Sequence, residues 1–207
     1  RLSMALVTFP AVTPNDVTLG AINNTAQFVS PLSGHVQTLS RGGGRWRLRL
    51  GFRNLLGTDR GKLQGFIGAL NGSANTFRVQ DHSYVRQGSG AGTPLVNGAS
   101  QTGYSLVTDG WPNNTAIFKS GDQISFDNGT FSELKIVTED CGSNGSGQAT
   151  IKIWPEIHVS PANDAAIVVA TPLGEFRMLA PEASWTNRPG GSGAFSDFVI
   201  DAVEVLN

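Results

Sequence analysis

Ala99-Ser-Gln-Thr-Gly-Tyr-Ser-Leu-Val-Thr-Asp-Gly-Trp111, Ser120-Gly-Asp-Gln-Ile-Ser-Phe126 and Gly147-Gln-Ala-Thr-Ile-Lys-Ile-Trp-Pro-Glu-Ile157 are short strand-like pieces set between turn residues. Leu95-Val96, Ala116 to Phe118 and Ser132 to Thr138 read the same way, and Asn97-Gly98, Asp109-Gly110, Gly121-Asp122, Asn128-Gly129 and Asn144-Gly145 supply the turns between them. Close spacing with Asn-Gly and Asp-Gly punctuation predicts a small all-β barrel or sandwich. Gly88-Ser-Gly-Ala-Gly-Thr-Pro94 precedes this stretch and reads as a linker, while Pro155 and Pro161 mark its exit. The expectation is an inserted β-module over 88–161, inside a domain formed by 1–87 and 162–207, with few contacts crossing the boundary.

Working outward, Trp46, Leu48, Leu50 and Phe52 alternate with Arg45, Arg47, Arg49 and Arg53. A period of two with one apolar face predicts a half-buried strand. Leu63, Phe66, Ile67 and Leu70 then fall at i, i+3, i+4 and i+7, the stripe of a helix that Thr58 and Asp59 can cap and Asn71-Gly72 can end. Gly61, Gly65 and Gly68 weaken that helix in isolation, so it must dock its stripe on a sheet. Further strands are expected at Ala5 to Phe9, Asp16 to Ala21, Thr25 to Val29, His35 to Leu39, Thr76 to Gln80, Ala166 to Ala170, Gly174 to Leu179 and Phe195 to Leu206. Apolar residues of both parities predict that the last of these is buried on both faces. The fold class is therefore mainly β, with one docked α-helix and an inserted barrel-like module.

The chain has 207 residues, 39% hydrophobic and 15% charged, which is ample for a folded core. Its 15 basic and 16 acidic side chains cancel, so no global field draws it to nucleic acid or an anionic membrane. The single cysteine, Cys141, excludes an internal disulfide and a multi-cysteine metal site. Arg1 to Pro10 is too short and too soon broken by proline for a signal peptide or membrane span, and no other apolar run is long enough. The expectation is a protein folded in a cytoplasm, with no membrane anchor.

The residues offer little chemistry. His35, His82 and His158 lie on unrelated segments, Asp81-His82-Ser83 reads as a turn, and adjacent Glu139-Asp140 would point to opposite faces of a strand. No catalytic residue, cofactor or metal is expected. The arginine row stands apart, because four guanidinium groups on one face repel unless carboxylates meet them. An acidic partner surface, a second copy of the chain included, is one reading; phosphate binding and a solvated sheet edge are the others.

The strings Trp46-Arg-Leu-Arg-Leu50, Lys62 to Leu70 and Asn75-Thr-Phe-Arg-Val-Gln-Asp81 resemble the strand, helix and strand of the distal tail protein of long-tailed bacteriophages. Gly98-Ala-Ser-Gln-Thr-Gly103, Asp109-Gly-Trp111 and Lys119-Ser-Gly-Asp122 resemble that family's inserted segment, and Glu175-Phe-Arg177, Trp185 and Phe198 to Leu206 its closing strands. The likeness runs from about residue 40 onward. It implies a tail-tube-like β-sandwich or split barrel and a non-enzymatic, ring-forming virion component at the phage tail tip, assembled in the host cytoplasm. Six copies would join the tail tube protein to the baseplate hub protein and tail fibres. DNA would pass through the lumen without sequence-specific binding. On that view Arg45, Arg47, Arg49 and Arg53 belong to a subunit interface, and the inserted module docks a peripheral tail part. Two other classes stay open: a carbohydrate- or receptor-binding tail module, for which Trp111, Trp185 and Tyr84 are the candidate aromatics, and a hydrolase domain, which the absence of any paired acid or nucleophile motif puts behind.

Overall fold

A computed structural model describes residues 4–189 and 195–206; residues 1–3, 190–194 and 207 of the expected outer domain lie outside it. In chain order the elements are β1 (Leu6–Val7), β2 (Asp16–Ile22), β3 (Thr25–Val29), β4 (Val36–Ser40), β5 (Arg45–Leu55), α1 (Gly57–Leu70), β6 (Thr76–Gln80), β7 (Leu95–Val96), β8 (Gly103–Asp109), β9 (Ala116–Phe118), β10 (Gln123–Asp127), β11 (Ser132–Val137), β12 (Cys141–Gly142), β13 (Ala149–Ile157), β14 (Ile167–Val168), β15 (Leu173–Met178), β16 (Trp185–Arg188) and β17 (Phe195–Glu204). Strand makes up 46% and helix 7%, so the chain is mainly β with one helix.

The body is a sheet in the order β1, β6, β15, β17, β5, β2, with β16 beside the first half of β17. Alternation in β5 turns Trp46, Leu48, Leu50 and Phe52 onto one face, where Phe198, Ile200, Phe176, Phe77 and Val79 join them. Helix α1 lays Leu63, Phe66, Ile67 and Leu70 on that face, as its period requires. Burying each such side chain contributes about 1.5–3 kcal/mol, enough to offset the interior glycines Gly61, Gly65 and Gly68 at roughly 1 kcal/mol each. The cap differs from expectation. The helix starts at Gly57 behind Leu56, whose side chain caps nothing, so Asp59 falls inside the first turn and pairs with Lys62. Asn71, in the left-handed region, ends it as expected.

A second sheet in the order β14, β10, β11, β13, β8, β7 closes on itself through a bridge between Leu95 and Ala166, giving a nearly closed six-strand barrel. Its core of Val96, Leu106, Ile117, Phe118, Ile124, Phe126, Ile151 and Ile153 is separate from that of the body. β14 takes the barrel past the expected exit at 161 to Val168. The glycine-rich approach is pinned rather than loose. Gly88 donates its N–H to buried Asp122, and a Cβ there would strike the backbone of Ile117 and Phe118.

Contacts across the boundary are many, against expectation. β13 pairs with β11 only at Ile136 and Val137, so the N–H groups of Ser132 and Leu134 lie beyond that ladder. Two body carboxylates accept them: Glu175 from Ser132 at 3.3 Å and Glu204 from Leu134 at 3.3 Å. Glu204 also accepts the Trp46 N–H, while the Trp46 indole donates to the Leu134 carbonyl at 2.9 Å. A buried amide left without an acceptor costs about 1–3 kcal/mol, so these carboxylates fix the barrel to the body. The last strand also departs from expectation. Ser196, Phe198, Ile200 and Ala202 are buried, but Phe195 and Val199 on the other parity are exposed, and both faces become buried only from Val203.

Candidate assembly surface

The four arginines of β5 stand on the sheet face opposite α1, beside β2 and β17. Register places Arg49 between Thr18 and Asp201, and Arg47 between Gly20 and Val203. Arg53 pairs with Asp16 at 2.7 Å, and Arg47 approaches Asp201 at 3.8 Å, an electrostatic contact longer than a hydrogen bond. Two of the carboxylates that a like-charged row requires thus come from the chain's own neighbouring strands. Among the described residues Arg45 and Arg49 carry no ion pair, and they remain the guanidinium groups available to an outside acid. A groove of about 470 Å³ at the Arg49 and Arg53 end of the row is lined also by Asp16, Thr18, Asp197 and Val199.

A second surface went unread in the sequence. β3 and β4 form a two-stranded hairpin that joins neither sheet. Every residue of both strands is exposed, and Phe28, Val29, Val36 and Leu39 keep more than half of their surface in water, with Leu32 at the tip 98% exposed. Phe28 and Leu39 share one face of the ribbon. An isolated hairpin is marginal in water, and apolar side chains at this density on one projection make it a candidate interaction site. The signal available in the sequence was limited to the two strands themselves, because apolar alternation does not tell a buried face from an unpartnered one.

β2, next to the arginines, is the outer strand of the body sheet and pairs only with β5, so its far edge offers unpaired backbone groups. β16, a strand that periodicity did not announce although the resemblance put Trp185 among the closing strands, brings Trp185 onto Phe198 at 5.7 Å and leaves it partly exposed, while Phe195 and Val199 are exposed on the other face of β17.

Other sequence candidates fall into structural roles. Trp111 is buried and donates its indole N–H to Thr108, and the Tyr84 hydroxyl reaches Asp122, the carboxylate that also holds Gln87 and Gly88. Burial pushes the Tyr84 phenol up, reinforced by Asp122. Asp81 accepts from the Ser83 hydroxyl and N–H and from Gln123, while His82 lies against Phe9, so these three residues form a turn and no proton relay. Asp140 binds Lys119 at the surface; that hydrogen bond holds the carboxyl below its ordinary value and the ammonium above. Among the described residues no group of three or more acidic, histidine or cysteine side chains could hold a metal ion, and no helix is long and apolar enough to cross a membrane.

No protein-family model matches this chain, and no curated protein matches it.

Proposed function

We propose that this chain is a ring-forming structural component of a phage tail, a distal tail protein that joins the tail tube to the baseplate hub and fibres around a channel for DNA. The observation that supports it best is the hairpin of β3 and β4, whose apolar residues are all in water. A projection of that kind docks on a different surface of the next copy. Such a head-to-tail contact is heterologous, and it yields a ring when the rotation closes. The open edge of β2 and the unpaired guanidinium groups of Arg45 and Arg49 provide a second surface for the same contact. Six-fold stoichiometry and position at the tail tip come from the resemblance carried by residues 40 onward.

The competing reading is a carbohydrate- or receptor-binding module. What favours it is a polar groove of about 430 Å³ on the barrel, lined by Asn97, Ser143, Asn144, Gln148 and Thr150 among others. Its weakness is that Trp111, one of the three aromatic candidates for sugar stacking, is in the barrel core.

Light scattering over a micromolar range with negative-stain imaging separates the two. The proposal expects a closed ring with a central hole, and monomers when Phe28→Ser and Leu32→Ser are combined. A folded monomer at every concentration, together with virions that lack a ring of this protein, overturns it. Glycan-array binding by that monomer would install the alternative.

A further inference from the structure

The hairpin, taken as the assembly arm, leaves the body through Arg41-Gly42-Gly43-Gly44, a segment that ought to swing freely. It is held instead. Glu156, on the barrel strand β13, accepts the Gly43 N–H at 2.5 Å. A Cβ at Gly42 would overlap the same Glu156 carboxylate, and one at Gly44 would come into ordinary contact, 3.5 Å, with the indole of Trp154, two residues before Glu156 on β13. Trp154 in turn packs edge to face on Trp46 of the body at 4.6 Å. The other leg of the hairpin is tied into the same point, because Asn24 accepts the Arg41 N–H through its carbonyl and donates to the Gly42 carbonyl through its side chain.

Glu156 itself is braced from below. Its backbone carbonyl accepts Lys135 Nζ at 2.6 Å, and Lys135 is in a fully buried ion pair with Glu133 at 2.7 Å. Glu133 accepts the N–H groups of His158 and Val159, the residues that follow β13. The end of β13 therefore sits on a rigid support, and its carboxylate meets one of the two stretches of backbone that join the arm to the body, the other being tied to it through Asn24.

We infer that Glu156 is a positioning residue for assembly: the barrel of each copy aims that copy's own hairpin at its neighbour. Gly42 is favoured by its close approach to Glu156, and Gly43 by a φ of +96° in the left-handed region. A pre-aimed arm binds with its competent fraction near one, whereas a freely swinging arm loses affinity in proportion to the fraction of time spent elsewhere. The inference rests on the hairpin being the assembly arm.

The test compares Glu156→Ala, Glu156→Gln and Gly42→Val in the full chain. Backbone order parameters of 25–40 are measured under dilute monomeric conditions, and the self-association constant by sedimentation. Glu156→Ala and Gly42→Val are expected to loosen the hairpin and to weaken association about tenfold, the effect of a competent fraction reduced to roughly one tenth. Glu156→Gln, which keeps an acceptor for Gly43, is expected to restore most of both. An unchanged hairpin in Glu156→Ala overturns the inference, and so does a loosened hairpin with unchanged association. Should Glu156→Ala fail to fold, Gly42→Val, which leaves the carboxylate and its support in place, decides on the same two readouts. The Phe28→Ser, Leu32→Ser monomer separates the two levels. If that double variant assembles normally, the arm itself is refuted; if it does not assemble while Glu156→Ala does, only the positioning role is lost.

Discussion

The barrel and the hairpin are built from the same material, short β-strands between turns, yet their free energy lies in opposite places. The barrel closes through Leu95 and Ala166 and puts its apolar residues inside, whereas the hairpin leaves Phe28, Leu32 and Leu39 in water. The barrel even buries charge: Lys135 and Glu133 are wholly inaccessible, while Arg53 and Asp16 on the arginine face are mostly exposed. A region with its apolar groups inside is complete by itself, and one with them outside is finished by something else. Substitutions should therefore unfold the first and only unassemble the second.

The largest effect is expected at Lys135. Lys135→Ala leaves the Glu133 carboxylate buried and unpaired, which costs about 3–5 kcal/mol and should appear as a large fall in the urea midpoint. A loss below about 1 kcal/mol would mean that water reaches the pair and that the seam is less closed than the comparison requires.

Glu204 comes next. Burial pushes its carboxyl up to about 7, although Lys135 and the N–H groups of Trp46 and Leu134 pull it down. A folded value above the unfolded one means that the folded state binds the proton more tightly. The contribution is then fully present below about pH 4.5 and is lost as pH rises through 7, by about 3 kcal/mol for a shift of this size. His158 works against it. Burial and Lys135 hold His158 below its ordinary value, so its contribution grows as pH rises toward 6.5. The informative quantity is the difference in stability between wild type and Glu204→Gln, which removes the His158 component. That difference should move in favour of the variant as pH goes from 4.5 to 8, even though the Gln amide must face an N–H donor. A flat difference would show that the carboxylate stays ionised at the seam.

The arginine face should respond weakly. Removing Arg53 breaks an exposed pair with Asp16 worth about 0–1 kcal/mol, and a double-mutant cycle with Asp16→Ala should find a coupling in that range that shrinks with added salt. The smallest effect on stability belongs to the hairpin. Phe28→Ser should shift the unfolding free energy of the monomer by no more than about 0.5 kcal/mol, as expected for an exposed site, while it weakens self-association. A loss of 2 kcal/mol or more in the monomer would place Phe28 in a core and erase the contrast between the two regions.

Much of the fold was legible in the residues. Alternation gave β5, the i, i+3, i+4, i+7 stripe gave α1, and the Asn-Gly and Asp-Gly pairs gave the barrel turns. Periodicity and turn chemistry are short-range, so each is complete within a dozen residues. The candidate assembly surface was half legible. The arginine row stood out as a charge pattern, but its partners Asp16 and Asp201 lie on other strands, and the exposed hairpin was indistinguishable from any pair of strands. Periodicity did not show β16, because Trp185-Thr-Asn-Arg188 lacks an apolar period and becomes a strand by pairing with β17; only the resemblance placed Trp185 in a closing strand.

What the sequence determined by itself was most of the elements and which face of each is apolar, since those follow from neighbours in the chain. What only the tertiary structure decided was which of those faces found a partner. Glu156 meets Gly43 across 113 positions, and Glu204 meets Trp46 across 158. No local pattern encodes a hydrogen bond over that separation. It exists because the closed barrel is seated on the body, and seating is a property of the assembled cores.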